Sequence, residues 1–293
     1  MDQLDHGILS LLARNCRLGP STIARALGSS PEMIHHRIAR LEKSEVIEHY
    51  LVVLNTRPLG LMRYMILLRF DSRGQDIEQI AQPLFEHPSV LWVNTLIGSY
   101  DLHVLVDAVG DYDLSRIRDE LISLLTERVR RCITMNELYD LQFTNLLPHL
   151  DPSLAIEPLD DGSFSDISFK ASFPASKPGE VVRLGSIDMD LIRALGEAPR
   201  ASLSELSRTV DRDRQTVKRH IVRLIEKDVI LSFGISLDAS AFGYLTYYVL
   251  FRLEKGFSEE CLKQTFSNLP EVFWAGVLLG EYDLICYLNA RNP

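Results

Sequence analysis

The first sixty residues carry apolar side chains at the three- and four-residue intervals of a helix. Leu4, Ile8, Leu11 and Leu12 predict one helix, and the stretch from about Ser21 to Leu27 predicts a second, shorter one. A serine followed by proline marks the start of a third helix, because serine caps a helix and proline suits its first turn. This third helix begins at Ser30-Pro31 and has an apolar stripe of Ile34, Ile38 and Leu41. Three short helices in this order predict a helix-turn-helix.

After these helices the pattern changes to the short apolar runs of strands, with helical segments between them. The predicted elements are a strand from Arg63 to Phe70, a helix from Asp76 to Glu86, two strands from Val90 to Ala108, a helix from about Tyr112 to Arg130 and a strand from about Ile133 to Phe143. The order βαββαβ is that of a ferredoxin-like sandwich, with helices on one face of an antiparallel sheet. Because the other face is bare, we expect a second sheet to pack against it.

The chain then repeats this whole pattern. A shift of 183 positions places Leu4 on Ile187, and the match continues without a gap through the three helices and the first predicted strand after them. One residue is then dropped, and at a shift of 182 both tryptophans of the chain, Trp92 and Trp274, coincide. Other matched pairs are Asp5/Asp188, Arg40/Arg223, Leu41/Leu224, Gly60/Gly243, Arg69/Arg252, Gly98/Gly280, Tyr100/Tyr282 and Asp101/Asp283. The chain therefore consists of two tandem copies of one module.

We predict an α+β fold in which a linker separates the two modules. The stretch between the copies is rich in Pro, Ser and Asp and has little periodicity, as is typical of a linker. The predicted segments are a winged-type helix-turn-helix domain at residues 1–60, a ferredoxin-like βαββαβ sensor domain at 61–146, the linker at 147–185, a second helix-turn-helix domain at 186–243 and a partial second sensor domain at 244–293.

The second sensor is predicted to be incomplete, because Pro293 aligns with Asp111, which precedes the last helix and strand of the first copy. We expect only a βαββ unit after about Leu245, with the strand from about Tyr244 to Leu253 left at an open edge. Either the chain is a truncated form of a longer protein, or a neighbouring segment completes the sheet. The sheet of the first sensor is the expected packing partner of its open face.

Composition and charge exclude several classes of protein. The four cysteines form no Cys-x-x-Cys pair and no zinc-type cluster with histidine, so we predict no metal, no cofactor and no disulfide framework. The N-terminus lacks the features of a secretory signal, and no apolar run approaches the roughly 20 residues that cross a bilayer. We therefore expect a cytoplasmic protein without a membrane partner. The net charge of -9 argues against nonspecific coating of nucleic acid but says little about a local basic surface.

The face of the third helix opposite its apolar stripe is expected to contact double-stranded DNA. Ser29 to Arg40 has two arginines and one glutamate, net +1, whereas Arg212 to Arg223 has four arginines, one lysine and one aspartate, net +4. The second copy is therefore expected to bind DNA more strongly. The candidate contacts are Glu32, Met33, His36, Arg37 and Arg40 in the first copy, and Arg212, Arg214, Gln215, Thr216, Lys218, Arg219 and Arg223 in the second. The alternative is that these residues form only the solvated face of a helical scaffold.

The chain outside the linker resembles the Lrp/AsnC (feast/famine) family of transcription regulators. The motifs that carry the resemblance are Leu4-Asp5 with Ile8-Leu9, the helix from Ser30 to Leu41, Val46-Ile47 leading to Leu54 and Gly60, and the hairpin Gly98-Ser99-Tyr100-Asp101. The resemblance implies self-association through the sensor domains, regulation of metabolic genes, and a small effector, often an amino acid, bound between sensors near that hairpin.

On that resemblance the candidate effector-binding residues are Gly98, Tyr100, Asp101, Gly280, Tyr282 and Asp283. Glycine permits the turn and a close approach of the backbone, and a carboxylate can bind an amino group. The alternative is a plain β-hairpin in which glycine makes the turn and tyrosine packs. The residue after the glycine is Ser99 or Glu281, where the family often has an acidic residue, so the identity of the effector stays open.

Two other functions remain open from the sequence. Similar tandem proteins resemble the sirohaem decarboxylases, enzymes that need His, Arg and Tyr side chains around a large tetrapyrrole cleft. His35, His36 and His103 form no such motif on the sensor strands, so we predict no catalytic residues. The other alternative is a metabolite sensor that does not bind DNA.

Overall fold

The computed structural model describes residues 1–71, 76–125, 128–144, 146–151, 154, 181–254 and 258–291. It combines helices with antiparallel sheets, which confirms the predicted α+β class. Most of the predicted linker at 147–185 lies outside the described residues. None of the helices in the described ranges is long and apolar enough to span a membrane.

The first helix-turn-helix forms where the sequence predicts it, because its own side chains satisfy the helix ends. Asp2 and Asp5 form a reciprocal capping box at the first helix. The Ser30 hydroxyl accepts a hydrogen bond from the amide of Met33 at the third. The elements are α1 (Gln3–Arg14), α2 (Pro20–Leu27), α3 (Pro31–Lys43) and the strand β1 (Ile47–Leu54).

The first sensor has the predicted order βαββαβ. Its elements are β2 (Met62–Phe70), α4 (Ile77–Ala81) continued by a 3-10 helix (Gln82–Glu86), β3 (Val90–Thr95), β4 (Leu102–Ala108), α5 (Asp111–Leu124) and β5 (Val129–Phe143). The predicted boundary between the last helix and the last strand is wrong. α5 ends at Leu124, and Val129 already pairs with Phe70 of β2, because pairing with a distant strand outweighs the local helical pattern.

The second module repeats the helices and the first part of the sheet. Its elements are α6 (Ser186–Glu197), α7 (Leu203–Thr209), α8 (Arg214–Glu226), β6 (Ile230–Leu237), β7 (Tyr244–Phe251), α9 (Glu259–Ser267), β8 (Val272–Leu279) and β9 (Leu284–Arg291). The βαββ unit that the sequence predicts after about Leu245 is therefore confirmed.

The two helix-turn-helix domains form one unit. β1 pairs antiparallel with β6, so that Tyr50 lies opposite Ile235. The buried Phe233 of β6 accepts a hydrogen bond through its carbonyl from the amide of Cys16, at 3.0 Å. A single apolar core contains α1, α3, α6 and α8, and Leu147 at the start of the predicted linker is buried in it. The pairing therefore fixes α3 and α8 relative to each other.

The two sensors share one seven-stranded sheet in the order β3-β4-β2-β5-β8-β9-β7. The long strand β5 joins the halves, because its first part pairs with β2 and its second part with β8, where Phe143 lies opposite Trp274. The open faces pack on each other through Met65 and Ile133 on one side and Ile285 on the other. The first sensor thus covers the open face of the second, as predicted. No described strand pairs with the outer edge of β7.

Candidate DNA-binding and effector sites

The helices α3 and α8, called here the first and second readers, present different surfaces. At the start of the second reader Arg212, Arg214, Gln215 and Arg219 are exposed, and Lys218 is half-buried. Arg214 donates a hydrogen bond to the Ser204 hydroxyl on α7. These cationic groups supply the charge that phosphate binding needs.

Thr216, a predicted DNA contact, also bonds within its own domain, because its hydroxyl donates to the Asp213 carboxylate at 2.8 Å. Asp213 also accepts from the Thr216 amide and so caps the second reader. The first reader exposes Glu32, Met33 and His36 at its start, with no arginine or lysine among them. The higher positive charge that the sequence gives to the second reader therefore lies on its exposed surface.

A buried carboxylate ties α1 to the first reader. The Asp5 side chain is only 1% exposed. It accepts a hydrogen bond from Arg37 at 3.0 Å and two from Arg40, at 2.7 and 2.6 Å. These two arginines were predicted to contact DNA, and the structure gives both a role in holding the helices together. The sequence pattern did not reveal this role, because the partners are far apart along the chain.

The same arrangement recurs in the second copy. Asp188 is equally buried, and its oxygens lie 2.7 Å from His220 Nδ1 and 2.7 Å from a nitrogen of Arg223. Burial alone raises the pKa of Asp188, but hydrogen bonds from His220, the Gly185 amide and Arg223 outweigh it and lower the pKa below its usual value. Arg223, a predicted DNA contact, is therefore also an internal partner.

Replacing Asp188 by alanine should lower the free energy of unfolding by about 2 kcal/mol at pH 7, because His220 and Arg223 lose a buried partner. Since folding lowers the pKa, this contribution is present above the usual aspartate pKa and is lost as the pH falls through the folded value. Urea unfolding measures both effects. Asp190→Ala on the same helix is the control, because Asp190 is 50% exposed and pairs with Arg193. Equal losses from the two substitutions would contradict the role of Asp188.

The sensor hairpins bring together two of the predicted effector residues. The Tyr100 and Tyr282 hydroxyls lie 3.3 Å apart, at the boundary between the sensors. Burial, and then the hydrogen bond with Tyr282, raise the pKa of Tyr100 to about 12. Gly98 and Gly280 have φ values of 150° and 156°, which favour glycine. A Cβ at Gly280 would lie 2.8 Å from Met135 of β5, so this hairpin packs directly on the first sensor.

The two hairpin aspartates hold the backbone of their own sensors. Asp101 accepts hydrogen bonds from the Phe70 amide at 2.8 Å and from Arg69 at 3.2 Å. Asp283 accepts one from the Leu253 amide at 2.7 Å. Each carboxylate therefore fixes the end of the first strand of its sensor, and these hydrogen bonds leave it less available to bind an effector than the sequence predicts.

Sequence reasoning missed the charged side chains beside the tyrosine pair. Arg131 donates to Glu281 at 2.6 Å, and Arg252 donates to the same carboxylate. The guanidinium carbon of Arg131 lies 5.8 Å from the centre of the Tyr100 ring, and that of Arg252 lies 5.0 Å from the centre of the Tyr282 ring. The presence of Glu281 where the first copy has a serine was the available signal.

Comparisons with known proteins agree with the two helix-turn-helix units. The AsnC-type helix-turn-helix domain matches residues 1–42, and a winged helix-turn-helix DNA-binding domain matches residues 184–230. An HTH-type transcriptional regulator of Pyrococcus abyssi is 30% identical over 119 residues, which cover 40% of this chain and 79% of that protein. The regulator FL11 of Pyrococcus furiosus is 26% identical over 124 residues, covering 42% of this chain and 82% of FL11.

The resemblance to solved structures extends across both modules of the chain. The siroheme decarboxylase NirDL, in complex with an iron-uroporphyrin III analogue, is 14% identical and has a TM-score of 0.53. The match covers 99% of this chain and 82% of that chain. At this identity the likeness extends to the fold alone.

Capped helix-turn-helix domains, an exposed basic reader and the two domain matches define a DNA-binding transcriptional regulator. The chain belongs to the AsnC-type, or Lrp/AsnC, family of helix-turn-helix transcriptional regulators, which confirms the resemblance seen in the sequence.

Proposed function

We propose that the chain binds double-stranded DNA through both readers, with the second reader supplying more of the affinity, and acts in the cytoplasm without catalysing a reaction. The observation that carries the proposal is the exposed basic surface of Arg212, Arg214 and Arg219 on a reader that β1–β6 pairing fixes relative to the first. Two readers in one unit can bind two half-sites without assembly of a second chain.

The test is selection of bound duplexes from a random DNA pool, followed by titration of a selected duplex at several salt concentrations. We expect affinity to fall steeply with salt, because each neutralised phosphate releases counterions. Failure to enrich any sequence, with no salt-dependent binding of mixed duplexes, would favour a metabolite sensor that does not bind DNA.

The proposed effector is a small polar molecule, such as an amino acid, bound beside the Tyr100–Tyr282 pair. The support for this position is the contact of the two hairpins and the nearby ionic group of Arg131, Glu281 and Arg252. Gly98 leaves open space beside its own backbone. The aspartates Asp101 and Asp283 would act by holding the strand ends.

An amino-acid panel should contain a compound that raises the melting temperature, by roughly 4 °C when its concentration reaches about 100 times its Kd. Tyr282→Phe should reduce this shift by at least half, because the ring stays and only the hydroxyl is lost. Tyr112→Phe is the matched control, since Tyr112 is exposed far from the hairpins on α5. A flat panel with intact protein would count against an amino-acid effector.

Self-association is proposed through the edge of the first sensor. The edge strand β3 exposes Leu91 and Trp92, and the hairpin beside it exposes Ile97 completely. Exposed apolar side chains on an unpaired strand favour pairing with another copy. Sedimentation velocity of wild type and Trp92→Lys would reveal the assembly and its loss.

The second candidate is a tetrapyrrole enzyme, which the likeness of fold to NirDL over 99% of the chain favours. His103 argues against this function, because it is buried between Asn94 and Tyr287, at 3.3 and 3.2 Å from their polar atoms. Strong visible absorbance of the purified protein near 400 nm, on the order of one tetrapyrrole per chain, would support the enzyme instead.

A further inference from the structure

A cavity of about 80 Å³ lies where the first helix-turn-helix meets the seven-stranded sheet. One wall is the end of β1, the turn after it and the start of β6, and the others come from β2, β5 and β8. A cavity needs about 10–15 Å³ of accessible volume to hold one water molecule, so this cavity has room for several waters or one small solute. Its charged and aromatic lining consists of Arg57, Arg63, Glu137, Tyr139, Asp140, Phe143 and Trp274.

Irregular pairing of β5 turns two carboxylates into this cavity. Glu137 and Asp140 are three residues apart, so a regular strand would direct them to opposite faces. The register of β5 against β8 shifts between Glu137 and Tyr139, and again between Asp140 and Gln142. As a result Glu137 and Asp140 both line the cavity. Bulges that re-aim side chains in this way are common beside functional sites.

The Glu137 carboxylate is buried and has no hydrogen bond from any residue in the described ranges. Its side chain is 5% exposed, and Arg57 alone among those residues brings a cationic nitrogen within 4.0 Å, at 3.6 Å. Arg57 donates its hydrogen bonds to the main-chain carbonyl groups of Glu137 and Leu138. Arg63 donates to Asp107. A largely buried carboxylate without a protein donor is costly, so a group bound in the cavity that donates to Glu137 would be stabilised there.

The second copy has neutral side chains at the positions that correspond to Arg63 and Asp107. Arg63 lies opposite Asp107 across β2 and β4, and at the same place across β7 and β9 Thr246 lies opposite Asn289. The Thr246 hydroxyl donates to the Asn289 side-chain oxygen at 2.9 Å. Since the second copy forms the same sheet with the uncharged pair of Thr246 and Asn289, the fold does not require the charged pair of Arg63 and Asp107 in the first copy.

We propose that this cavity binds a small protonated primary amine, of which a free amino acid the size of alanine is one form. An ammonium group has three donors, enough to bond both Glu137 and the second carboxylate, Asp140, which already accepts from Trp274 Nε1 at 2.6 Å. The Trp274 ring beside Asp140 favours a cation. Because the wall joins a helix-turn-helix strand to sensor strands, the bound amine contacts both parts.

The test uses Trp274 as a reporter inside the full chain. The chain has two tryptophans, so Trp92→Phe leaves Trp274 as the sole one. At pH 8 this variant is titrated with methylammonium chloride, glycine, L-alanine and sodium acetate. We expect a saturable change in Trp274 emission with methylammonium or an amino acid and none with acetate. Glu137→Gln in the same background should raise the Kd about tenfold or more, because the charge-assisted hydrogen bond is lost.

The matched control is Glu86→Gln, which removes an exposed carboxylate far from the cavity and should leave the Kd unchanged. Absence of a saturable response to all three amines, an equal response to acetate, or unchanged binding by Glu137→Gln would overturn the site. An amino acid that raises the melting temperature without changing Trp274 emission would support the hairpin effector site and refute this one.

Discussion

Replacing Arg212 and Arg219 together by alanine should weaken DNA binding by roughly 60-fold at 0.1 M salt. The reason is that each phosphate contact contributes about 0.9 to the slope of log K against log salt, so two contacts contribute about 1.8. Both side chains are exposed at the start of the second reader, where an approaching duplex would meet them. The measurement is fluorescence anisotropy of a selected duplex from 0.05 to 0.4 M salt, in which the slope should flatten by about 1.8.

The matched control is the double variant Ser29→Ala and His36→Ala, which changes the equivalent positions of the first reader. Neither residue carries a guanidinium group, so the salt slope should stay close to that of wild type. Equal flattening by the two double variants would contradict the ranking of the readers. Arg37 and Arg40 are unsuitable for this comparison, because their removal would strand the buried Asp5 carboxylate and loosen the first reader.

The sequence predicts well those features that depend on local periodicity and caps. Ser30-Pro31 starts α3 as expected, and the duplicated order of helices and strands is correct in both copies. The predicted boundary between the last helix and the last strand of the first sensor is wrong, because Val129 belongs to a strand whose partner is far away along the chain. The joint sheet through β5 also depends on that distant pairing, and no local pattern encodes it.

For the candidate site residues too, the sequence predicts local features and misses partners that are distant along the chain. The spacing of the readers predicts an exposed face, on which Arg219 is exposed whereas Thr216 and Lys218 are half-buried. It cannot show that Arg40 reaches back to Asp5 on another helix, or that Asp101 is used to bond the Phe70 amide. Charged residues opposite an apolar stripe can serve the fold as well as a ligand, and only their partners distinguish the two uses.

A duplicated chain can change one copy while the other preserves the fold. At the hairpins, Glu281 has a serine as its counterpart, so only one carboxylate joins Arg131 to Arg252. Beside the cavity, Arg63 pairs with Asp107, and the second copy has Thr246 and Asn289 at these two positions. These departures from internal symmetry lie at the two places where we propose that the chain binds a ligand.

The charge of Glu137 in the cavity should make stability fall as the pH rises. Burial raises the pKa of Glu137 from its usual 4.5 to about 7. The charged and titratable groups that face it are Asp140 and Asp107, which raise the pKa further, Arg63 and Arg57, which lower it, and Tyr287. Between pH 4.5 and 7 the folded chain holds a proton that the unfolded chain has released, so stability is lost through this window.

Glu137→Gln cannot ionise and should therefore escape this loss. A pKa difference of about 2.5 corresponds to about 3 kcal/mol, so the variant should gain up to that amount over wild type between pH 4.5 and pH 8. Urea unfolding at pH 4.5, 6 and 8 measures the gain, and Glu86→Gln should stay within about 0.5 kcal/mol of wild type throughout. A constant difference between Glu137→Gln and wild type across this range would mean that a donor already satisfies the carboxylate, and the cavity would then have no need of an amine.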